Sequence, residues 1–116
     1  MEYDSKIRYE DNFEGNYFGS GDLILSGTFK GTIKIDKLII NENAFFIGNI
    51  TAKEIIVEGH VKADMATEKL HILSNGKVEG DLIYKTLKID EGGFLNSSKV
   101  IKMSDQKNLK IKFYKN

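Results

Sequence analysis

An apolar pattern returns every 15 to 17 residues along nearly the whole chain, and a period that short excludes most globular architectures. Its clearest copy reads Phe46-Ile47-Gly48-Asn49-Ile50 and then, after four residues, Ile55-Ile56-Val57. Set in register, the copies give columns. One runs Phe13, Phe29, Phe46, Val61, Val78, Phe94, and two residues on comes Gly15, Gly31, Gly48, Ala63, Gly80, Asn96. A third is Tyr17, Ile33, Ile50, Met65, Leu82, Ser98. The remaining two are Ile7, Leu23, Leu38, Ile55, Leu70, Leu87 and Tyr9, Leu25, Ile40, Val57, Ile72, Ile89.

Apolar residues within a copy lie two apart, the period of a strand whose alternate side chains face one interior, and helical spacing is absent. One copy holds too few inward residues to form a core alone, so each must pair its strands with the equivalent strands of the next. The expected fold is therefore all-β: a single-domain parallel β-helix of about six turns over residues 7–103, flanked by a short N-terminal segment, 1–6, and a Lys-rich C-terminal one, 104–116. The recurrent glycine is expected to serve packing where the backbone bends. Corners vary in length: Val57 reaches Val61 in four residues, Ile40 reaches Phe46 in six, and Ile89 reaches Phe94 in five.

Outward positions support the same register. The residue before each fourth-column Leu or Ile runs Asp22, Lys37, Glu54, Lys69, Thr86, and the one before that Gly21, Asp36, Lys53, Glu68, Lys85. Alternating signs disfavour a slip that would stack like charges, although an exposed pair contributes only about 0.2–1 kcal/mol. Seventeen basic and seventeen acidic residues cancel, which argues against nucleic acid as a partner. With no cysteine, neither disulfides nor thiolate metal sites are expected, and no stretch reads as a signal peptide or membrane span, so cytoplasmic residence is the expectation. His60 and His71 lack companions in their columns and read as surface histidines. No catalytic, metal or cofactor residue is expected, and no enzymatic activity.

Gly31-Thr32-Ile33, Gly48-Asn49-Ile50 and Gly80-Asp81-Leu82, each followed five residues later by a Leu/Ile-x-Ile/Val strand, together with the closing Glu91-Gly92-Gly93-Phe94, resemble the bactofilins over residues 13 to about 98. The resemblance implies a right-handed β-helix of triangular section that polymerises without nucleotide into non-polar cytoskeletal filaments in bacteria, serving cell shape, envelope growth or placement of motility apparatus. It also implies that an aromatic of the terminal turn takes part in assembly, and Phe94 occupies that motif position. Ala63 and Asn96 depart from the family's glycine, and neither flank carries the proline-rich composition common in the family.

Physics independently directs attention to the ends, because the first and last turns of a β-helix present unpaired strand edges and an open apolar interior. The expected polymerisation residues are Ile7, Tyr9 and Phe13 at one end and Phe94, Val100, Ile101 and Met103 at the other. The expected partner is a further copy of the chain, end to end, with envelope or cell-wall-associated proteins as further candidates and at most peripheral contact with the inner membrane face. An outward stripe of Ile24, Ile39 and Ile56, giving way to His71 and Lys88, offers a lateral or partner contact. An alternative reading is a non-polymerising β-helical binding module that uses this stripe. The alternating Leu109-Lys110-Ile111-Lys112-Phe113 is expected either to cap an end as a strand or to lie along the side.

Overall fold

Each central copy of the repeat becomes one long bent strand. In a computed structural model, which describes residues 5–7 and 12–103, β4 (Thr28–Ile40), β5 (Phe45–Val57) and β6 (His60–Ile72) lie side by side in parallel. Above them sit β1 (Ser5–Ile7), β2 (Asn12–Phe18) and β3 (Asp22–Leu25), and below them β7 (Lys77–Glu79), β8 (Leu82–Ile89), β9 (Phe94–Asn96) and β10 (Val100–Lys102). All ten strands belong to one sheet wound on itself, a β-solenoid, and every pairing among the described residues is parallel. The winding amounts to about five turns rather than six, because the outermost copies are incomplete and β1, β9 and β10 contribute three residues each.

Three kinds of break shape the central turns, although Ala63 takes the glycine's place in β6 and β5 passes to β6 through the shorter Glu58-Gly59 link. The first is the glycine, where Gly31 and Gly48 take φ of 140° and 141°. The second falls at Asp36, Lys53 and Glu68, where pairing is interrupted between neighbouring turns. There the Gly21 N–H donates to the Asp36 carboxylate at 2.9 Å, so this charged column serves a bend, whereas Asp22, Lys37, Glu54, Lys69 and Thr86 pair in the expected ladder. The third is the corner after the last column. The N–H groups of Ala44, Gly76 and Gly93 donate to the carbonyls of Asn41, Leu73 and Asp90 at 2.9, 2.9 and 2.8 Å, closing three equivalent four-residue turns.

Inside, the columns stack as expected through the middle of the chain. Phe29, Phe46, Val61 and Val78 are fully buried, as are Leu38, Ile55, Ile40, Val57 and Ile72. Rings stack at the N-terminal end of the first column, Phe13 on Phe29 with centroids 4.7 Å apart and Phe29 on Phe46 at 5.0 Å. Offset aromatic stacking adds to the area each ring removes from water. Phe29→Ala is therefore expected to cost about 3–5 kcal/mol, read as a lower urea midpoint with an unchanged slope. Thr67 is the one fully polar residue buried among the described ones; its hydroxyl donates to the Lys69 carbonyl at 3.1 Å, so no donor is stranded.

Register differs from the sequence reading in the first and last copies. Ile7 pairs with Leu25 and Ser5 with Leu23, a shift of two that moves Ile7 into the neighbouring column. At the other end Leu95, not Phe94, lies under Val78, and Phe94 lies under Lys77. Consequently Asn96 sits under Glu79 rather than in the glycine column, and Val100 replaces Ser98 beneath Leu82. The physical reason is the third corner: aligning Gly93 with Gly76 and Ala44 makes the step from Ile89 to the next inward residue six, as in the other two. An outermost copy has a neighbour on one side only, so its side-chain pattern is less constrained.

Candidate functional site

At both ends of the solenoid the ladders stop. Among the described residues no strand pairs with the outer edges of β1, β2, β9 and β10, nor with the outer edge of Thr86–Ile89 in β8. Each such edge is a row of backbone donors and acceptors able to template another strand.

The N-terminal end presents the half-buried outer face of the Phe13 ring, with Tyr17 also half-buried in the same layer. Tyr9 lies outside the described residues. Phe18, at the end of β2, is 67% exposed, the largest value for a bulky apolar side chain among the described residues, and it lies outside the inward columns of the repeat. Its outward parity in β2 was the available signal.

At the C-terminal end Phe94, Val100 and Ile101 are exposed, as the sequence suggests, but they differ in position. Val100 extends the inward column of Leu82, Ile101 lies under the outward Ile83, and Phe94 stands on the outer rim beside Lys77. Met103 does not belong to the exposed layer; it is 9% exposed, folded against the flank beside Lys85 and Glu68. The residues that complete the open interior are Ile89, 43% exposed, and half-buried Leu87 and Leu95. All three are the last members of inward columns; Leu87 and Ile89 already close the columns read from the sequence, and only Leu95 required the shifted register of the final copy.

On one side of the rod Lys6, Ile24, Ile39, Ile56, His71 and Lys88 stack in one register column. The three isoleucines are half-buried, giving an apolar stripe along the N-terminal half that turns polar along the C-terminal half. His71 Nε2 lies 2.9 Å from Asp90 Oδ1, joining neighbouring turns. His60 packs its ring against Phe45 with centroids 4.9 Å apart; its Nε2 stands 3.6 Å from Glu79 Oε2, too far for a hydrogen bond. Both histidines are thus tied into inter-turn contacts. Among the described residues no three His, Cys, Asp or Glu side chains are placed to hold a metal ion, and no helix is long and apolar enough to cross a membrane.

The repeat, the stacked glycine column and the parallel winding coincide with a family model. The model for bactofilin, described as polymer-forming cytoskeletal, matches residues 5–99. The chain belongs to the bactofilin family. That span begins at β1, so the family's repeat includes the first copy, whose register the side chains alone misplace. Among solved structures, this bactofilin is similar to a cryo-EM reconstruction of Thermus thermophilus bactofilin double helical filaments, at 18% identity and a TM-score of 0.74, over 80% of this chain and 96% of that one. At that identity the likeness shows the fold. No curated protein matches the chain. Membership places it among polymer-forming cytoskeletal proteins.

Proposed function

We propose that this bactofilin is a structural protein, without an enzymatic step, whose rods join end to end into nucleotide-independent, non-polar filaments in the cytoplasm. The observation that carries this reading is the coincidence, at both ends, of unpaired strand edges with inward columns that run out to the last layer. A joint between like ends would bury the Phe13 and Tyr17 layer at one junction and Leu87, Ile89, Leu95 and Val100 at the next, with Phe94 and Ile101 on the rim. Each apolar side chain fully covered in such a joint contributes up to about 1.5–3 kcal/mol, and the paired edges extend the ladder across it. Ile7, in β1, stays a candidate for the N-terminal joint, Tyr9 lies outside the described residues, and Met103 is already covered within its own subunit. The filament would scaffold cell shape, envelope growth or motility apparatus, with envelope-associated proteins as partners and any membrane contact peripheral.

Negative-stain microscopy and sedimentation of the purified protein without nucleotide test the reading. Filaments are the expected result; a chain that stays monomeric at high concentration overturns it.

The isoleucine stripe supports a second contact. The relative of known structure forms double helical filaments, and two strands wound together must touch along their sides. Ile24, Ile39 and Ile56 form an apolar strip at the right place for such a contact, flanked by the Asp22–Lys37–Glu54 ladder. Ile39→Glu is expected to leave single filaments of unchanged subunit spacing. If that variant instead loses only binding of another protein, and filaments never form, the stripe serves a binding module.

A further inference from the structure

A groove runs along another flank of the solenoid and ends where the described chain ends. The outward column of that flank reads Phe18, Lys34, Thr51, Ala66, Ile83, Ile101. Thr51 and Ala66 are short, so the surface dips between them. On one side the depression is walled by Asp36, Lys53 and Glu68, and it extends from Gly19 at the N-terminal end to Met103 at the C-terminal end. On the other side a second depression shares the same Thr51 and Ala66 floor and is walled by Asn49, Asp64 and Asp81.

Three observations bear on what fills it. Met103, the last described residue, turns its side chain into the groove and is 9% exposed, while Val100 and Ile101 just before it are 44% and 38% exposed. The chain is therefore led into the groove as the description ends. Thirteen residues follow, 104–116, and they include the alternation Leu109-Lys110-Ile111-Lys112-Phe113. Five inter-turn steps separate the Ile101 level from the Phe18 level, about 24 Å, which about seven extended residues span. An extended segment leaving Met103 would bring Leu109 and Ile111 to the level of Phe18, whose side chain is 67% exposed. The segment carries Lys107, Lys110, Lys112 and Lys115 against the single acid Asp105. The groove lining is of mixed sign, Lys34, Lys53 and Lys85 with Asp36 and Glu68, and the second depression sets Asp64 and Asp81 against Lys99, so the apolar alternation and the reach of the segment, not charge, select it as the occupant.

We propose that residues 104–116 dock in their own subunit along this groove, with Lys107 at the level of Thr51 and the alternating apolar residues at the Phe18 end. Docking there covers one flank of the rod and leaves the isoleucine stripe on another side as the free lateral face. The proposal does not depend on filament formation, since it concerns a contact within one chain.

The absence of native cysteine makes the test direct. In the full chain, Thr51→Cys with Lys107→Cys places two thiols on the proposed path, and Ile39→Cys with Lys107→Cys is the control on the stripe. An intramolecular disulfide is expected to form at least about tenfold faster in the groove pair, because docking raises the local thiol concentration. Independently, Ala66→Trp fills the floor from an outward position and is expected to speed tryptic cleavage after Lys107, Lys110 and Lys112 about tenfold by raising the undocked population. Equal disulfide rates in the two pairs, disulfides that join two chains, or tryptic rates unchanged by Ala66→Trp would each overturn the proposal.

Discussion

A Gly48→Val variant is expected to lose its cooperative fold, with a cost above about 4 kcal/mol, visible as loss of the β-sheet circular dichroism or a greatly lowered midpoint in urea. Two penalties act at this position. Its φ of 141° is a region side-chain-bearing residues rarely adopt, which costs about 1–3 kcal/mol. In addition, a Cβ on Gly48 would overlap the carbonyl oxygen of Gly31 on the turn above, and that oxygen belongs to backbone held by the ladder on both sides. The same overlap recurs at Gly31 against Gly15 and at Gly80 against Ala63.

Two internal comparisons separate the penalties. Gly15 has a similar φ, 138°, but a Cβ there meets only the Phe13 ring at 3.7 Å, so Gly15→Ala is expected to lose the strain energy alone. Ala63 pairs with Gly48 and carries a Cβ, and its backbone is not in the positive-φ region. One turn thus makes the bend differently. A Gly48→Val protein whose melting temperature stayed within about 4 °C of the parent would show that stacked carbonyls do not govern this column.

Phe94→Arg is expected to reduce the sedimentable fraction at least about tenfold while moving the melting temperature by no more than about 4 °C. The separation of assembly from folding follows from where the structure puts this side chain. Phe94 is 48% exposed on the outer rim, in register with Lys77 and outside the inward columns, so its loss opens no cavity. In a joint between two C-terminal ends, however, the rim residue of one subunit would lie near that of its partner. An arginine there brings like charges together, beside Lys77 of each subunit, as the surrounding apolar layer is removed from water. Val100→Lys, within the layer itself, is expected to act in the same direction. Filaments of normal abundance from Phe94→Arg would place the C-terminal joint elsewhere.

The two ends show how far reasoning from the chain extends. In the middle turns each inward residue is stacked between equivalents, so Phe46, Gly48, Ile50, Ile55 and Val57 repeat a pattern imposed from both sides and are read directly. In the terminal turns one side of that constraint is missing. Ile7 slips by two and Phe94 by one, and the open layer gains Leu87, Ile89 and Leu95 while losing Met103. A cue for the C-terminal shift was present in the corners, where Asn43-Ala44, Asn75-Gly76 and Gly92-Gly93 mark equivalent turns, but corner residues are a weaker signal than a buried column.

The amino-acid sequence by itself therefore determined the solenoid, its period, its interior columns and the family it resembles, because parallel stacking makes every buried position answer to its neighbours sixteen or so residues away. Only the tertiary structure decided which side chains stand at the two exposed layers, why Gly31, Gly48 and Gly80 exclude a Cβ, and that Met103 turns into a groove. Those features depend on the distance between backbones on adjacent turns and on which way a chain bends once no further turn confines it, quantities that a one-dimensional pattern does not contain.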